Sequence, residues 1–402
     1  MTAELSESSA GPRAAHLLVA GISIGAIGVA LACCGVFANQ RWLDRHFLPS
    51  FFLTRPTYVL LETLARILLV AAGVTLSVVV RRRLARFIAL TPSRALHVAI
   101  AVVLALVASE LALRYVHLRP AEWLGRDQEP HRQADARLGW TFVPSRTGRT
   151  TVGGRTIDYV FDASGYRIRR VDEPVDPVQP AILFAGESVM FGKGLTWEES
   201  IPGQVAAMTG QPIANMAVDG YGTDQAYLRL QSDLPRFSKP LAVVTIFMTT
   251  LFGRDLDEDR PHLGPGLVWL PGVRHGRLRS LVQLVAPYRR DETVDRGIAV
   301  TREVLRATAN LAAARGARSV ILVPRFGPED RVEEALRHKI LDGLEVPNVL
   351  IEIDPSWRVP GDVHPNAHAA HVLAEGVATQ LLALLAPAHL RQAGSGKRQT
   401  GS

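Results

Sequence analysis

Ala181-Ile182-Leu183-Phe184-Ala185-Gly186-Glu187-Ser188 is a five-residue apolar run closed by a glycine turn that carries a serine. A strand apolar at every position has both faces covered, which is the habit of a parallel sheet. Four further runs of this kind follow at 213–218, 241–248, 319–323 and 349–353. Apolar residues recur at helical spacing over 198–208, 223–234, 294–315, 330–341 and 367–385, and Gly343 supplies a stop for the fourth of these helices. Strand and helix in alternation predict βαβ units, with helices on both faces of one parallel sheet. Ligands of such sheets bind beyond the carboxyl ends of the strands. Ser188, Gly220 and Thr250 each fall just past a successive strand, so one cleft gathers them.

Near the other end of the chain, Asp362-Val363-His364 sets a carboxylate and an imidazole two residues apart, just before the last helix. A hydroxyl is a weak nucleophile until a base takes its proton and a third group orients that base. Ser188, His364 and Asp362 are the residue types this chemistry needs, in the order Ser…Asp…His.

Four blocks over roughly residues 136–386 resemble the SGNH/GDSL hydrolase family of serine esterases and acyltransferases. Gly186-Glu187-Ser188 resembles the Gly-Asp-Ser block, with Glu in place of Asp and Ser188 at the nucleophile position. Asn215 to Gln225 is similar to the second block, whose glycine N–H faces the oxyanion; here that glycine is Gly220. Asp362-Val363-His364-Pro365-Asn366 resembles the last block. The third block departs: Phe247-Met248-Thr249-Thr250-Leu251 has threonine near the family's oxyanion-donating Asn, and Asp255 follows where the family often has another acid. Losing one such donor typically costs about a hundred- to a thousandfold in turnover; Thr250 is the candidate replacement, from a shorter side chain. The resemblance implies a three-layer α/β/α flavodoxin-like sheet, a Ser188-His364-Asp362 site with oxyanion donors at Ser188, Gly220 and Thr250, and no cofactor or metal.

The N-terminal third is different material. Apolar runs of about twenty residues at 14–38, 58–80 and 95–117 are each long enough to cross a bilayer as a helix. A cleaved signal peptide is the alternative for the first, against which stand its length, a single basic flank at Arg13 and the want of a clean cleavage site. Cys33 and Cys34, the only two cysteines, lie inside that run, so no disulfide framework exists. Residues 1–117 hold 11 Lys and Arg against 5 Asp and Glu, whereas residues 118–402 hold 34 against 33. The positive charge thus belongs to the anchor and is no nucleic-acid footprint. Arg81, Arg82, Arg83, Arg86 and Arg94 mark a loop at 81–94 as cytoplasmic, which places everything after His117 outside; Arg41, Arg45 and Arg55 oppose this weakly. Glu62 with Arg66, and Glu110 with Arg114, share helix faces and read as mutual neutralisation near the outer interface.

The expected organisation is a membrane anchor over 1–117, a linker and small β lead-in over 118–178, a hydrolase domain over 179–388 and a disordered tail over 389–402. Within the lead-in, alternation around Gly153-Gly154 predicts an antiparallel hairpin. Leu138-Gly139-Trp140, Pro144 and Gly165-Tyr166-Arg167 resemble the approach to membrane-anchored members of the family. The insert at 252–293 reads as a lid, a membrane-facing flap or decoration. His368 and His371 near His364 mimic a helical metal pair, but no acid or cysteine completes a set. Gly192-Lys193-Gly194 lacks phosphate-loop spacing. The functional expectation is a membrane-anchored serine ester hydrolase or O-acyltransferase, its domain outside the cytoplasmic membrane. Its partners are the bilayer and an acyl ester of a cell-envelope glycan or lipid. The rival is a non-catalytic glycan-binding protein on a degenerate fold of the same kind.

Overall fold

The structure, a computed structural model, describes residues 10–115 and 129–386. The end of the third apolar run, the start of the linker and the expected tail lie outside the described residues. Two compact units emerge: one takes in 10–47, 53–115 and 276–288, the other 48–52, 129–275 and 289–386.

The first unit is helical: α1 Ala10–Phe37, α2 Gln40–His46, α3 Arg55–Val74, α4 Arg81–Leu90 and α5 Pro92–Leu113, together with Arg277–Val285, which is α9 in chain order. A π-helical segment, Thr75–Val80, runs α3 into α4. The expected loop at 81–94 is therefore helix as far as Leu90. Arginine, leucine and alanine are good helix formers, and the first break is Thr91-Pro92, where proline starts α5. Small residues let α1 and α3 touch closely: a Cβ on Gly73 would stand 2.4 Å from the Gly28 carbonyl oxygen, and one on Gly35 2.7 Å from that of Arg66. Of the two expected acid–base pairs, Glu110–Arg114 forms, while Glu62 and Arg66 each take another hydrogen-bond partner as well. Glu62 accepts from Gln40 Nε2 at 2.8 Å and Arg66 Nε donates to the Gly35 carbonyl at 3.1 Å. Glu110 caps α9, accepting the N–H groups of Arg277 and Leu278 at 2.9 Å each, with Arg114 3.6 Å away.

The second unit is an α/β layer structure on a mostly parallel sheet. Its first strands are β1 Arg132–Asp135, β2 Gly139–Phe142, β3 Thr147–Val152, β4 Arg155–Phe161 and β5 Arg167–Ile168. Then come β6 Ala181–Ala185, α6 Ser188–Phe191, α7 Ile201–Thr209, β7 Ile213–Asn215, α8 Thr223–Asp233 and β8 Pro240–Ile246. After these run β9 His262–Leu263, β10 Trp269–Leu270, α10 Asp291–Ala314, β11 Arg318–Phe326, α11 Arg331–Leu341, β12 Asn348–Ile353 and α12 Ala367–Leu385. The eight-stranded sheet has the order β12-β11-β8-β6-β7-β5-β4-β3. Its first five strands are parallel, and β5, β4 and β3 continue it antiparallel. Taken alone, the parallel strands have the flavodoxin-like order 2-1-3-4-5, with the switch point between β6 and β8.

The residues of β6 show why both faces must be covered. Ile182 and Phe184 join the core cluster that includes Val205 of α7 and Leu373 and Val377 of α12. Ala181, Leu183 and Ala185 join the opposite one, with Leu230 of α8 and Ala312 of α10. Period-two alternation between two apolar layers is what an all-apolar strand requires. The hairpin around Gly153-Gly154 is β3–β4, and it extends the main sheet through β5 and the pairing of Arg167 with Asn215. The insert is ordered as a short β9–β10 hairpin and α9.

Candidate active site

Ser188 heads α6 directly beyond β6, and its turn is tight. A Cβ on Gly186 would stand 2.6 Å from Ile246 Cγ2 and 3.0 Å from Met190 Cβ, so only glycine lets β6 turn beside β8. Glu187 caps the short helix through the N–H of Val189, at 3.1 Å to either carboxylate oxygen. Arg167, 1% exposed, donates to the carbonyls of Phe191, Gly192 and Leu195 at 2.7, 2.8 and 2.6 Å, gathering the turn that follows α6. Burial pulls its guanidinium down to about 10.

The loop after β12 brings the C-terminal pair to the serine. His364 Nε2 lies 2.9 Å from Ser188 Oγ, and Nδ1 lies 2.5 Å from Asp362 Oδ1. Asp362 Oδ1 also accepts the His364 backbone N–H at 3.0 Å, so one carboxylate sets both the backbone and the ring. The hydrogen bond from the His364 imidazole, with burial opposing it, holds the Asp362 carboxyl down at about 2, and it stays ionised throughout the physiological range. Ser188 is fully buried and His364 6% exposed. Asn366 ends the loop by capping α12 through the N–H of Ala369 at 3.0 Å.

A second acceptor also meets Ser188 Oγ. The Ser188 hydroxyl donates to Glu187 Oε2 at 2.6 Å, and Arg254 Nη1 stands 3.5 Å from the same oxygen. Glu187 thus bonds the turn's backbone and reaches the serine as well. That contact follows from the extra methylene of Glu over Asp.

The Gly220 loop is clamped along its length. Val218 N–H donates to the Gly186 carbonyl at 3.1 Å, tying the loop beside the nucleophile turn. Trp140 Nε1 donates to the Asp219 carbonyl at 3.0 Å, Arg260 Nη1 to that of Gly220 at 3.0 Å and Arg254 Nη1 to that of Tyr221 at 3.4 Å. The Asp219 carboxylate takes Arg132 at 2.6 Å and Lys193 at 2.8 Å; burial would raise it, but these two cations hold it well below the usual range. Gly220 has φ +89°, a conformation that favours glycine. Trp140, Lys193, Arg254 and Arg260 are singled out for no part in the site by sequence reading, and Asp219 lies in the second block without a role of its own.

Thr250 lies half-buried in the 3₁₀ turn Thr249–Arg254 that follows β8. Asp255, at the position of the family's additional acid, accepts from Thr223 N, Thr223 Oγ1 and Thr301 Oγ1 at 2.8, 2.6 and 2.9 Å, an internal strut between α8 and α10. His368 sits edge-on to Trp357 with ring centroids 4.1 Å apart, and His371 meets Gln204 at 2.6 Å. Among the described residues no group of three or more His, Cys, Asp and Glu side chains is placed to hold a metal.

No family model matches the chain, and no curated protein does. Solved structures similar to it include a putative lipolytic protein of the G-D-S-L family from Desulfitobacterium hafniense, at 10% identity over 50% of this chain and 98% of that one, with a TM-score of 0.32. An acetyl xylan esterase from Butyrivibrio proteoclasticus follows at 12% identity, 53% and 66% coverage and a TM-score of 0.31. A GDSL-like lipase from Bacteroides thetaiotaomicron has 15% identity, 52% and 90% coverage and a TM-score of 0.30.

Proposed function

We propose that this protein is a membrane-anchored serine ester hydrolase or O-acyltransferase acting on an acyl ester of a cell-envelope glycan or lipid. The observation that carries the reading is the buried chain Ser188 Oγ–His364 Nε2–Asp362 Oδ1, at 2.9 and 2.5 Å, at the carboxyl end of β6 beside the switch point of the sheet. Ser188 Oγ attacks the ester carbonyl as His364 Nε2 takes its proton, with Asp362 holding the ring and offsetting the imidazolium charge. The N–H groups of Ser188 and Gly220 receive the oxyanion, with Thr250 as the candidate third donor. Collapse expels the alcohol, which carries away the proton from His364 and leaves the acyl group on Ser188. Water or a second hydroxyl then repeats the sequence in reverse, and which of the two arrives separates hydrolysis from transfer. The three long apolar helices support anchoring, and the arginines on α4 support a catalytic domain outside the membrane.

A binding module is the second reading, favoured by Glu187, which takes the Ser188 hydroxyl in the resting site. Full-length protein in detergent micelles, given a fluorophosphonate probe and short aryl acetates, separates the two. Labelling at Ser188 and turnover, each nearly abolished by Ser188→Ala or His364→Ala, are expected for the esterase. The double variant should lose little more than either single one, because triad members act as a unit. An unlabelled, inactive wild type would leave the binding module.

A further inference from the structure

The chain between α2 and α3 is the short connection that joins the first two apolar helices, yet Leu48–Phe52 belongs to the hydrolase unit. Pro49 and Phe51 are buried there and Leu48 packs against the cluster formed by Phe252, Leu305 and Leu336. Phe51 is 4% exposed, whereas its neighbour Phe52 is 63% exposed. The Phe51 backbone N–H donates to the Thr250 carbonyl at 3.1 Å, which hooks the segment onto the turn after β8. Its ring centroid lies 5.7 Å from the His364 ring and 5.5 Å from that of Phe326 at the end of β11.

Arg358 completes the arrangement. Its guanidinium lies 5.5 Å from the Phe51 ring and 4.2 Å from the Phe326 ring, and it donates to the carbonyls of Pro355 and Val363. Those carbonyls belong to the loop that carries Asp362 and His364. One side of the catalytic imidazole is thus packed by a residue more than three hundred positions away in sequence. An imidazole hydrogen-bonded only at its two nitrogens still has freedom to tilt about the axis between them; an apolar ring packed against it removes that freedom and keeps water from that side.

We propose that Phe51 is a positioning residue for His364, supplied by the connection between the first two apolar helices, so that the esterase site is complete only when that connection is present. The proposal rests on the Ser188–His364–Asp362 reading. It leads to a cost borne more by catalysis than by substrate affinity, since the Phe51 ring packs on the ring of the base. Small misplacements of a catalytic group are expensive, and a drop of about ten- to a hundredfold in kcat is expected for Phe51→Ala.

The test uses full-length protein in micelles, with aryl acetate kinetics, the rate of fluorophosphonate labelling and a thermal unfolding scan. Phe51→Ala should lower kcat and the labelling rate together, with KM within about twofold of wild type. Phe51→Leu, which keeps apolar bulk against the ring, should recover most of the loss, and Phe52→Ala should match wild type throughout. If Phe51→Ala fails to fold, Phe51→Val takes its place with the same expected split between kcat and KM. An active wild type with Phe51→Ala, or its Val substitute, at the wild-type kcat would overturn this proposal alone. An inactive, unlabelled wild type would remove the esterase reading beneath it.

Discussion

At Ser188 one proton faces two acceptors. Oγ lies 2.6 Å from Glu187 Oε2 and 2.9 Å from His364 Nε2, and a hydroxyl has a single hydrogen to give. In the proposed esterase, attack requires that hydrogen on the line to His364, so the bond to Glu187 has to break on the way to the transition state. A hydrogen bond to a carboxylate is worth about 1.5–3 kcal/mol net, a factor of about ten to a hundred in rate. Glu187→Asp retracts the carboxylate by one methylene and keeps a residue type that caps α6 well. We expect kcat on aryl acetates to rise by that factor with α6 intact; a fall instead would show that Glu187 is needed where it stands. That Ser188, His364 and Asp362 come together was legible because a serine on a glycine turn and an Asp-x-His pair before the last helix are distinctive in sequence. The contact between Glu187 and Ser188 was not, because it depends on the rotamer of a side chain whose type merely suggests turn chemistry.

Among the elements, the β1–β2 hairpin has more bearing on the site than its sequence suggests. Trp140 on β2 is fully buried, with its ring against Gly220 and its Nε1–H on the Asp219 carbonyl. In a planar trans peptide the Asp219 C=O and the Gly220 N–H point in opposite directions, so holding the carbonyl also aims the N–H proposed for the oxyanion. Trp140→Phe keeps an aromatic ring on Gly220 and deletes the donor. A loss of about tenfold or more in kcat, at little-changed KM, is the expected outcome, smaller than the loss of a whole oxyanion donor. Wild-type kinetics would mean that Arg260 and Arg254 hold the loop unaided. The inner parallel strands β6, β7, β8 and β11 were readable from their apolar runs, since a buried parallel strand has no polar face to blur the pattern, whereas edge strand β12 alternates exposed and half-buried residues. Trp140 was visible only as part of a lead-in motif, because its partner lies 79 residues away and no periodicity encodes that pairing. The helix over Arg81–Leu90 was missed for another reason: a cluster of arginines reads as a loop by charge, although its helix propensity is high.

For the whole chain, the question is which side of the membrane each segment occupies. Four described helices are long and apolar enough to cross, but Ala367–Leu385 has Leu373, Ala374, Val377 and Leu381 at 0% exposure in the core of the second unit, so burial accounts for its composition. Three candidate spans remain: α1, α3 continued into α4, and α5. The arginines at 81, 82, 83 and 86, and Arg94 on α5, flank the α4–α5 junction and favour the cytoplasm there. Opposing them are Arg41, Arg45 and Arg55 in the first connection, of which Arg55 is paired with Asp44. Crossing three times puts the connection after α1 and the chain after α5 on the same side. If these helices cross a membrane, the membership of Leu48–Phe52 in the second unit needs that same arrangement, independently of any charge count. Truncated fusions to a pair of reporters, one active only in the cytoplasm and one only outside it, test both arguments at once. Fusions ending at residues 47 and 130 should report outside, and a fusion ending at residue 92 should report cytoplasm. If residues 47 and 130 reported opposite sides, Phe51 would be separated by the bilayer from His364, and the pairing of those two rings would fall together with the topology.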